Sequence, residues 1–244
     1  MKNQVVINMS ASIEDLMAKG VEHALSLGTA SAEAKGEDTF QRSIEVINGE
    51  VRTVSESHNL GVGIRVVYKK GNGFSYSNVL DMENIRKAAE TAFKIAKVTS
   101  QKSLIKSTLK EIKSSVEKKA TNVKEHPKDI ELDEKKNLCL REYKASSGFS
   151  KQIANVTTRF AEYYGSLYFL NSDGTKVSYE PLLVGLLSSC IAKKGSKIAD
   201  AGDRVGGSYG LEVEGKTCTS RKVSSPNRLS ACWSSCSRVF WAHV

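Results

Sequence analysis

The fold is decided by residues Val46–Lys97, which read VINGEVRTVSESHNLGVGIRVVYKKGNGFSYSNVLDMENIRKAAETAFKIAK. Asn48–Gly49 stands between two segments in which apolar and polar residues alternate, and this arrangement predicts a β-hairpin. A second turn is predicted at Gly71–Gly73, between two further strand-like runs. The alternation in these runs is typical of an antiparallel sheet with one buried face.

A helix is predicted on each side of these strands. Ser12 is placed to cap the first helix together with Asp15, and Gly28 is placed to end it. The second helix is predicted from about Met82 to Val98, with an alanine-rich stripe that would lie close against the sheet. Helix, antiparallel strands and helix in this order predict an α+β layer rather than a βαβ series.

The chain after residue 100 predicts a strand-rich region. A helix is expected over residues 129–144, and β-branched and aromatic runs begin at Gln152 and turn at Asn171–Gly174. Residues Leu182–Cys190 fit either a strand or a buried helix, and their place among hairpins favours a strand. The predicted fold class is therefore α+β, with a helix–antiparallel sheet–helix layer followed by a strand-rich central unit.

Four segments are predicted along the chain. Residues 1–100 are expected to form an N-terminal α+β domain, and residues 101–128 a lysine-rich connector. Residues 129–222 are expected to form the strand-rich central domain. Residues 223–244 are an atypical tail that we expect to pack poorly.

The net charge of +9 raises the question of an acidic partner such as nucleic acid. The excess lysine lies between Lys102 and Lys151, and especially in Lys102–Lys128, a stretch without arginine or aromatic residues. Nucleic-acid interfaces normally contain both, so this stretch is typical of a solvated surface or linker. The sequence also lacks an apolar run of about 18 residues and a recognisable signal peptide, which predicts a cytoplasmic protein without a membrane span.

No motif predicts a catalytic or cofactor-binding residue. Gly61–Gly63 lacks the third glycine and the following helix of a dinucleotide fingerprint, so close packing within a sheet is the better interpretation. The sequence contains no P-loop, nucleophile elbow or His-Glu-x-x-His helix. His23 and His126 are interpreted as ordinary surface residues. Cys139 and Cys190 lie among apolar neighbours and are interpreted as core residues.

Four residues near the C-terminus have the chemistry of zinc ligands, namely Cys218, Cys232, Cys236 and His243. They are separated by 13, 3 and 6 residues, whereas structural zinc sites usually contain two tight pairs. The spacing argues against a metal site. We therefore predict no catalytic, cofactor-binding or metal-binding residue in this chain.

Two blocks of the chain resemble the TldD/PmbA family, whose members are described as zinc metallopeptidases or modulators of DNA gyrase. The first block is Val46–Lys97, with its hairpin, Gly-Val-Gly-Ile-Arg segment and alanine-rich helix. The second is Tyr163–Gly215, from YYGSLYFLNSDGTKVSYE to GDRVGGSYGLEVEG. In TldD-like members a separate C-terminal domain carries a His-Glu helix that binds zinc. In PmbA-like members that motif is degenerate and the partner subunit supplies the catalysis, and this sequence has neither version. The resemblance therefore implies the scaffold and dimerisation part of a peptide-degrading or peptide-maturing protease, truncated and inactive by itself.

The same resemblance implies partners and a cofactor. It implies a homodimer or a heterodimer with a TldD/PmbA-type subunit, and unfolded peptides as substrates of the full-length family. Zinc is expected in full-length members and not in this chain. The alternative function is a non-catalytic PmbA-like partner subunit. A basic nucleic-acid-binding protein is the third and least favoured interpretation.

The final stretch, LSACWSSCSRVFWAHV (Leu229–Val244), interrupts the resemblance. Read two nucleotides later, its codons permit Leu-Val-Val-Leu-Gln-Pro-x-x-Leu-Gly, which is similar to the strand that leads into the family's catalytic domain. We therefore expect residues 223–244 to be an out-of-frame translation. The genomic sequence downstream of codon 222 tests this expectation.

Overall fold

A computed structural model describes residues 12–102, 114–208 and 210–211. The elements follow in the order α1 (Ile13–Ser26), β1 (Ser31–Ile47), β2 (Glu50–Tyr68), β3 (Gly71–Ser77), α2 (Met82–Lys102), β4 (Val116–Lys119), α3 (Leu132–Ser147), β5 (Ile153–Asn171), β6 (Lys176–Tyr179), β7 (Leu182–Lys194) and β8 (Lys197–Gly207). A short 3-10 helix, Pro127–Asp129, precedes α3. Helices beside a mainly antiparallel sheet in the described residues confirm the α+β fold class.

The strands of the described residues form one sheet. Its main path runs β3-β2-β1-β5-β6-β4, while β7 pairs with β5 and β8 with β7. The pairs β2–β3, β5–β6, β5–β7 and β7–β8 are antiparallel, and β4 pairs with β6 in parallel. The strand β4 lies inside the segment predicted to be a connector, so part of that segment has regular structure.

The chain folds into two compact units that alternate along the sequence. Of the described residues, the first unit contains those up to Thr39 and those within Asn59–Ala120 and Gly165–Glu180. The second contains Phe40–His58, Thr121–Tyr164 and the described residues from Pro181 onward. The long strands β1, β2 and β5 each contribute residues to both units. The domain boundaries predicted near residues 100 and 128 separate consecutive segments of the chain. These domain boundaries stay a prediction.

The core of the first unit forms between α1, α2 and one face of the sheet. Ser12 caps α1 as predicted, because its hydroxyl accepts a hydrogen bond from the Asp15 N–H at 3.1 Å and Asp15 Oδ2 accepts from the Ser12 N–H at 3.3 Å. Asp81 Oδ1 accepts the Asn84 N–H at 2.7 Å near the start of α2. The buried apolar residues include Met17, Val21, Ile64, Val66, Ile85, Ala89 and Ala92.

The position predicted for the second turn, Gly71–Gly73, is wrong, because the turn lies two residues earlier in the chain. Tyr68 pairs with Gly71, so the turn consists of Lys69 and Lys70, and the glycines belong to β3. A Cβ atom on Gly73 would overlap the carbonyl oxygen of Ala92 on α2. These glycines are therefore required by the close approach of a helix rather than by a turn.

The hairpin predicted at Asn48–Gly49 is confirmed. Asn48 has φ 52° and Gly49 has φ 84°, the two positive values that a type I′ turn needs. The Asn48 side chain also accepts a hydrogen bond from the Val156 N–H at 2.9 Å. This turn is therefore tied to β5 within the second unit.

The core of the second unit forms where α3 packs on the sheet. Its buried apolar residues are Ile44, Val46, Leu138, Cys139, Phe160, Leu182, Val184, Leu186 and Leu211. The strand interpretation of Leu182–Cys190 is confirmed, since these residues pair with β5 and β8. The helix predicted over residues 129–144 begins later, at Leu132, because Ile130 and Glu131 have extended backbone angles after the 3-10 turn.

Several predictions concern residues outside the described ranges. The tail 223–244, the cysteines Cys218, Cys232 and Cys236, and most of the lysine-rich stretch before Ser114 belong to this group. Among the helices of the described part, none is long and apolar enough to cross a membrane.

Candidate functional site

A network of four charged side chains lies in the second unit. Lys135 on α3 donates to Glu162 Oε1 on β5 at 2.9 Å and to the carbonyl oxygen of Pro127 at 2.6 Å. Arg42 on β1 donates to the same Glu162 oxygen at 2.7 Å. Its Nε and Nη2 also donate to Glu56 Oε2 on β2, at 2.9 and 2.7 Å. The network thus connects three strands and the helix that covers them.

Strand geometry places these residues on one face of the sheet. Side chains two positions apart on a strand point to the same side. The strands β2, β1 and β5 are neighbours, and they contribute the pairs Glu56 and His58, Phe40 and Arg42, and Glu162 and Tyr164. Each strand therefore supplies one charged and one aromatic side chain to the same face.

The centre of the network is buried. Neither Lys135 nor Glu162 has exposed side-chain surface, whereas the Arg42 and Glu56 side chains are 18% and 56% exposed. Burial lowers the pKa of Lys135, and the hydrogen bond to Glu162 only partly offsets that effect. Burial also opposes ionisation of Arg42, but its hydrogen bond to Glu56 and the charge of Glu162 together raise its pKa.

One oxygen at the centre of the network has no partner among the described residues. Both hydrogen bonds to Glu162 end on Oε1, and Oε2 is buried without a hydrogen bond. Buried carboxylate oxygens nearly always accept hydrogen bonds. The arrangement can therefore accept one further donor.

A row of rings lies beside the charges. His58 stacks on Phe40 with ring centroids 4.1 Å apart, and Phe40 stacks on Tyr164 at 5.6 Å. His126 meets Tyr164 edge-on at 5.3 Å. Burial and the charge of Glu162 raise the pKa of Tyr164. His126 is half-buried, and its Nδ1 accepts the Lys128 N–H at 3.1 Å.

The sequence analysis did not identify Arg42, Lys135 or Glu162. A signal was present in their spacing, because Lys135 lies three residues before buried Leu138 and Glu162 lies two residues after buried Phe160. Lys135 thus lies on the buried face of α3, and Glu162 lies on the buried face of β5. A charged residue in such a position normally has a buried partner, but the sequence alone does not name that partner.

The described residues contain no group of three or more histidine, cysteine or acidic side chains that could hold a metal ion. The candidate zinc ligands Cys218, Cys232, Cys236 and His243 lie outside those ranges, so the prediction against a zinc site there stays a prediction. Gly61 and Gly63 lie within β2, where the Phe74 ring covers Gly63, as close packing in a sheet requires.

The hairpin strand β2 has a long open edge. Its residues Glu50 to Asn59 are all exposed, and the strand is paired with β1 on one side. On the other side, β3 pairs with β2 only from Val62 onward. Backbone groups of an unpaired edge are a template for another strand. Within the described residues this edge is therefore the clearest surface for assembly.

A shallow cavity of about 320 Å³ lies in the first unit, between the start of α1 and the strands β4, β5 and β6. Met17, Tyr168 and Leu170 form its apolar part. Asp15 and Lys176, which carry opposite charges, also line the cavity. This mixture does not select one class of ligand.

Two family models match the chain. The model for PmbA/TldA metallopeptidase domain 1 matches residues 32–96, and the model for the PmbA/TldA metallopeptidase central domain matches residues 125–225. Together they cover more than half of the chain, in the order in which the two domains are numbered.

A curated relative and several solved structures are similar to the chain. A metalloprotease of Methanocaldococcus jannaschii is 28% identical over 170 residues, which are 70% of this chain and 37% of the relative. A proposed modulator of DNA gyrase from Thermotoga maritima has a TM-score of 0.66 at 16% identity, covering 82% of this chain and 44% of that chain. TldE from Thermococcus kodakarensis has a TM-score of 0.57 at 17% identity, covering 81% and 43%. At these identities the structures show the fold alone, and the chain spans less than half the length of each of these proteins.

Proposed function

Since the chain belongs to the TldD/PmbA family, we propose that it supplies the scaffold and assembly part of a peptide-cleaving metalloprotease and does not cleave peptides by itself. The observation that carries this proposal is the match to the first and central domains of the family. The charge network supports it, because Lys135, Glu162 and Arg42 tie α3 to the sheet through buried hydrogen bonds. Such a network favours one rigid arrangement of the unit.

In this proposal the hydrolytic site belongs to the separate C-terminal domain that the family resemblance implies. A bound zinc ion there would lower the pKa of a water molecule and polarise the peptide carbonyl. The described residues of the present chain would position that domain and the unfolded peptide. Zinc is thus a cofactor of the assembly and not of these residues.

The partner in this proposal is a second TldD/PmbA-type subunit or another copy of this chain. The exposed edge from Glu50 to Asn59 supports an assembly role, because an open edge of this length pairs readily with another strand. The assembly is proposed to work in the cytoplasm, and fractionation of cells that express the tagged chain tests the location.

The second candidate is a non-catalytic subunit that binds a complete catalytic subunit, as a PmbA-like chain would. The likeness of the fold to TldE supports this candidate. A nucleic-acid-binding role has only the net charge of +9 in its favour. Retention on DNA at low salt that is lost steeply as salt rises would favour that role.

The test is co-purification followed by a peptidase assay. The tagged chain is expressed with a TldD-type subunit, and cleavage of an unstructured peptide is followed for each protein alone and for both together. We expect the two proteins to co-purify and cleavage to require the catalytic subunit and to stop with a chelator. Chelator-sensitive cleavage by the purified chain alone would overturn the proposal, and a failure to co-purify would overturn the second candidate.

A further inference from the structure

The open edge of β2 carries a charge pattern that is complementary to itself. Glu50, Arg52, Val54, Glu56 and His58 occupy alternate positions and share one face of the sheet. The Arg52 side chain is 58% exposed and contacts Glu50 at 2.8 Å. Both hydrogen bonds that Arg42 makes to Glu56 end on one carboxylate oxygen, and that side chain remains 56% exposed. Both central charges are thus accessible along the edge.

Symmetry restricts how two such edges can pair. Two copies that join their β2 edges antiparallel are related by a two-fold axis perpendicular to the sheet, so the same face of both copies lies on the same side. Directly opposite residues of an antiparallel pair point to the same side of the sheet, so a residue of the charged face in one copy must lie opposite a residue of the charged face in the other. This condition holds only when the axis passes beside one residue of β2, which then lies opposite its own counterpart, and not when the axis passes between two residues.

Four positions of the axis, at Thr53, Val54, Ser55 and Glu56, pair most of the open edge. With the axis at Glu56, Glu56 lies opposite Glu56 of the second copy, so like charges meet. With the axis at Thr53, Glu50 lies opposite Glu56 of the second copy. With the axis at Ser55, Arg52 lies opposite His58 of the second copy. With the axis at Val54, Arg52 lies opposite Glu56 of the second copy and Glu50 lies opposite its His58. Only the axis at Val54 places Arg52 of each copy opposite Glu56 of the other copy. Opposite charges directly across a strand pair are favourable.

We propose that two copies of this chain pair through the β2 edge, antiparallel and centred on Val54. Val54 is 41% exposed and would meet its own counterpart at the two-fold axis. The strands pair over residues 50–58 and stop before Val62, where β3 takes over the edge. The sheet then continues from one copy into the other. This inference rests on the proposed assembly function and names its partner and register.

Charge-reversal variants of the full-length chain test the pairing. Arg52→Glu places a glutamate opposite Glu56 of the second copy, and Glu56→Lys places a lysine opposite Arg52, so each variant has two repulsive pairs per dimer. We expect sedimentation to show the dimer Kd raised by about tenfold or more in each. A mixture of the two variants has two attractive pairs and should form a heterodimer, which a general folding defect would not produce.

Arg65→Glu is the matched control for Arg52→Glu. Arg65 lies on the same strand, is 56% exposed and contacts Glu33 at 2.8 Å, but β3 covers its part of the edge. We expect this variant to dimerise like the original chain. A monomeric original chain, or equal effects of the two arginine variants, would overturn the inference.

Cysteine cross-linking tests the register. Residues directly opposite in an antiparallel pair have Cα atoms about 4.5–5.5 Å apart, within the range that a disulfide spans. Val54→Cys, in a background with Cys218, Cys232 and Cys236 changed to serine, should form a disulfide-linked dimer. Val51→Cys is equally exposed but would lie opposite Ser57 of the second copy, so it should not cross-link. Cross-linking of Val51→Cys without Val54→Cys would overturn the register.

The two proposals fail separately in these experiments. A chain that is monomeric but co-purifies with a TldD-type subunit contradicts edge pairing and leaves the proposed function in place. If the chain dimerises and the charge-reversal variants behave as expected, but no peptidase assembly forms, the edge pairing is supported and the proposed function is contradicted.

Discussion

Lys135 Nζ lies 2.9 Å from Glu162 Oε1, and neither side chain has any exposed surface. A buried ion pair gains little over apolar residues of the same size, but its two members depend strongly on each other. The Arg42 guanidinium also donates to Glu162 Oε1, and the Pro127 carbonyl oxygen accepts a hydrogen bond from Lys135. The site therefore fixes how α3 lies on the sheet of the second unit.

Removal of one member of the pair is expected to destabilise the protein strongly. Lys135→Met leaves the Glu162 carboxylate buried with one counter-charge, and such changes cost about 3–5 kcal/mol in the free energy of unfolding. Lys136→Met is the matched control, because Lys136 forms an exposed pair with Asp133 at 3.0 Å that is worth about 0–1 kcal/mol. Urea denaturation measures both.

A double variant separates the pair from general packing damage. Lys135→Met combined with Glu162→Leu removes both charges, so we expect it to regain much of the stability that the single variant loses. Equal losses for Lys135→Met and Lys136→Met would contradict the role of the buried pair.

The pH dependence of stability should show the lowered pKa of Lys135. Between its lowered value in the folded chain and its ordinary value of 10.5, the unfolded chain binds more protons than the folded chain. Unfolding therefore becomes less favourable as pH rises through this window. We expect the difference in unfolding free energy between the original chain and Lys135→Met to grow from pH 7 to pH 10. The corresponding difference for Lys136→Met should stay flat, and a difference that shrinks for Lys135→Met would contradict the prediction.

Gly73→Ala should destabilise the first unit. The added methyl group would overlap the carbonyl oxygen of Ala92, so α2 or β3 must move. Overpacking of this kind costs roughly 1–3 kcal/mol or more. Gly185→Ala is the control, because the nearest atom to its added methyl group is 3.8 Å away. Thermal denaturation of both variants measures the effect, and a loss for Gly185→Ala as large as that for Gly73→Ala would refute the steric explanation.

Cys139 should react slowly with thiol reagents in the folded protein. Burial raises its pKa to about 12, so the thiolate fraction at pH 8 is on the order of 10³-fold below that of an ordinary cysteine. Mass spectrometry after iodoacetamide treatment follows the labelling of this residue. Ala145→Cys, on the exposed side of the same helix, provides the reference rate. Similar rates at the two positions in the folded state would contradict the prediction, while urea should bring them together.

The local elements were predictable because their signals lie within a few residues. Ser12 and Asp15 form the predicted capping box, and Asn48–Gly49 forms the predicted hairpin turn. The error at Gly71–Gly73 has a different origin. Glycine is common both in turns and where a helix approaches a strand closely, so the sequence does not distinguish these two cases. The position of Ala92 on α2 does distinguish them.

The sequence by itself determined the fold class, the helix cap, the hairpin and the family, because each depends on residue order over short distances. Tertiary structure decided the charge network, since Lys135 is 27 residues from Glu162 and Arg42 is 120 residues from it. It also decided that the compact units alternate along the chain, because the long strands β1, β2 and β5 contribute to both. Contacts between distant residues depend on which strands become neighbours, and no local pattern records that choice.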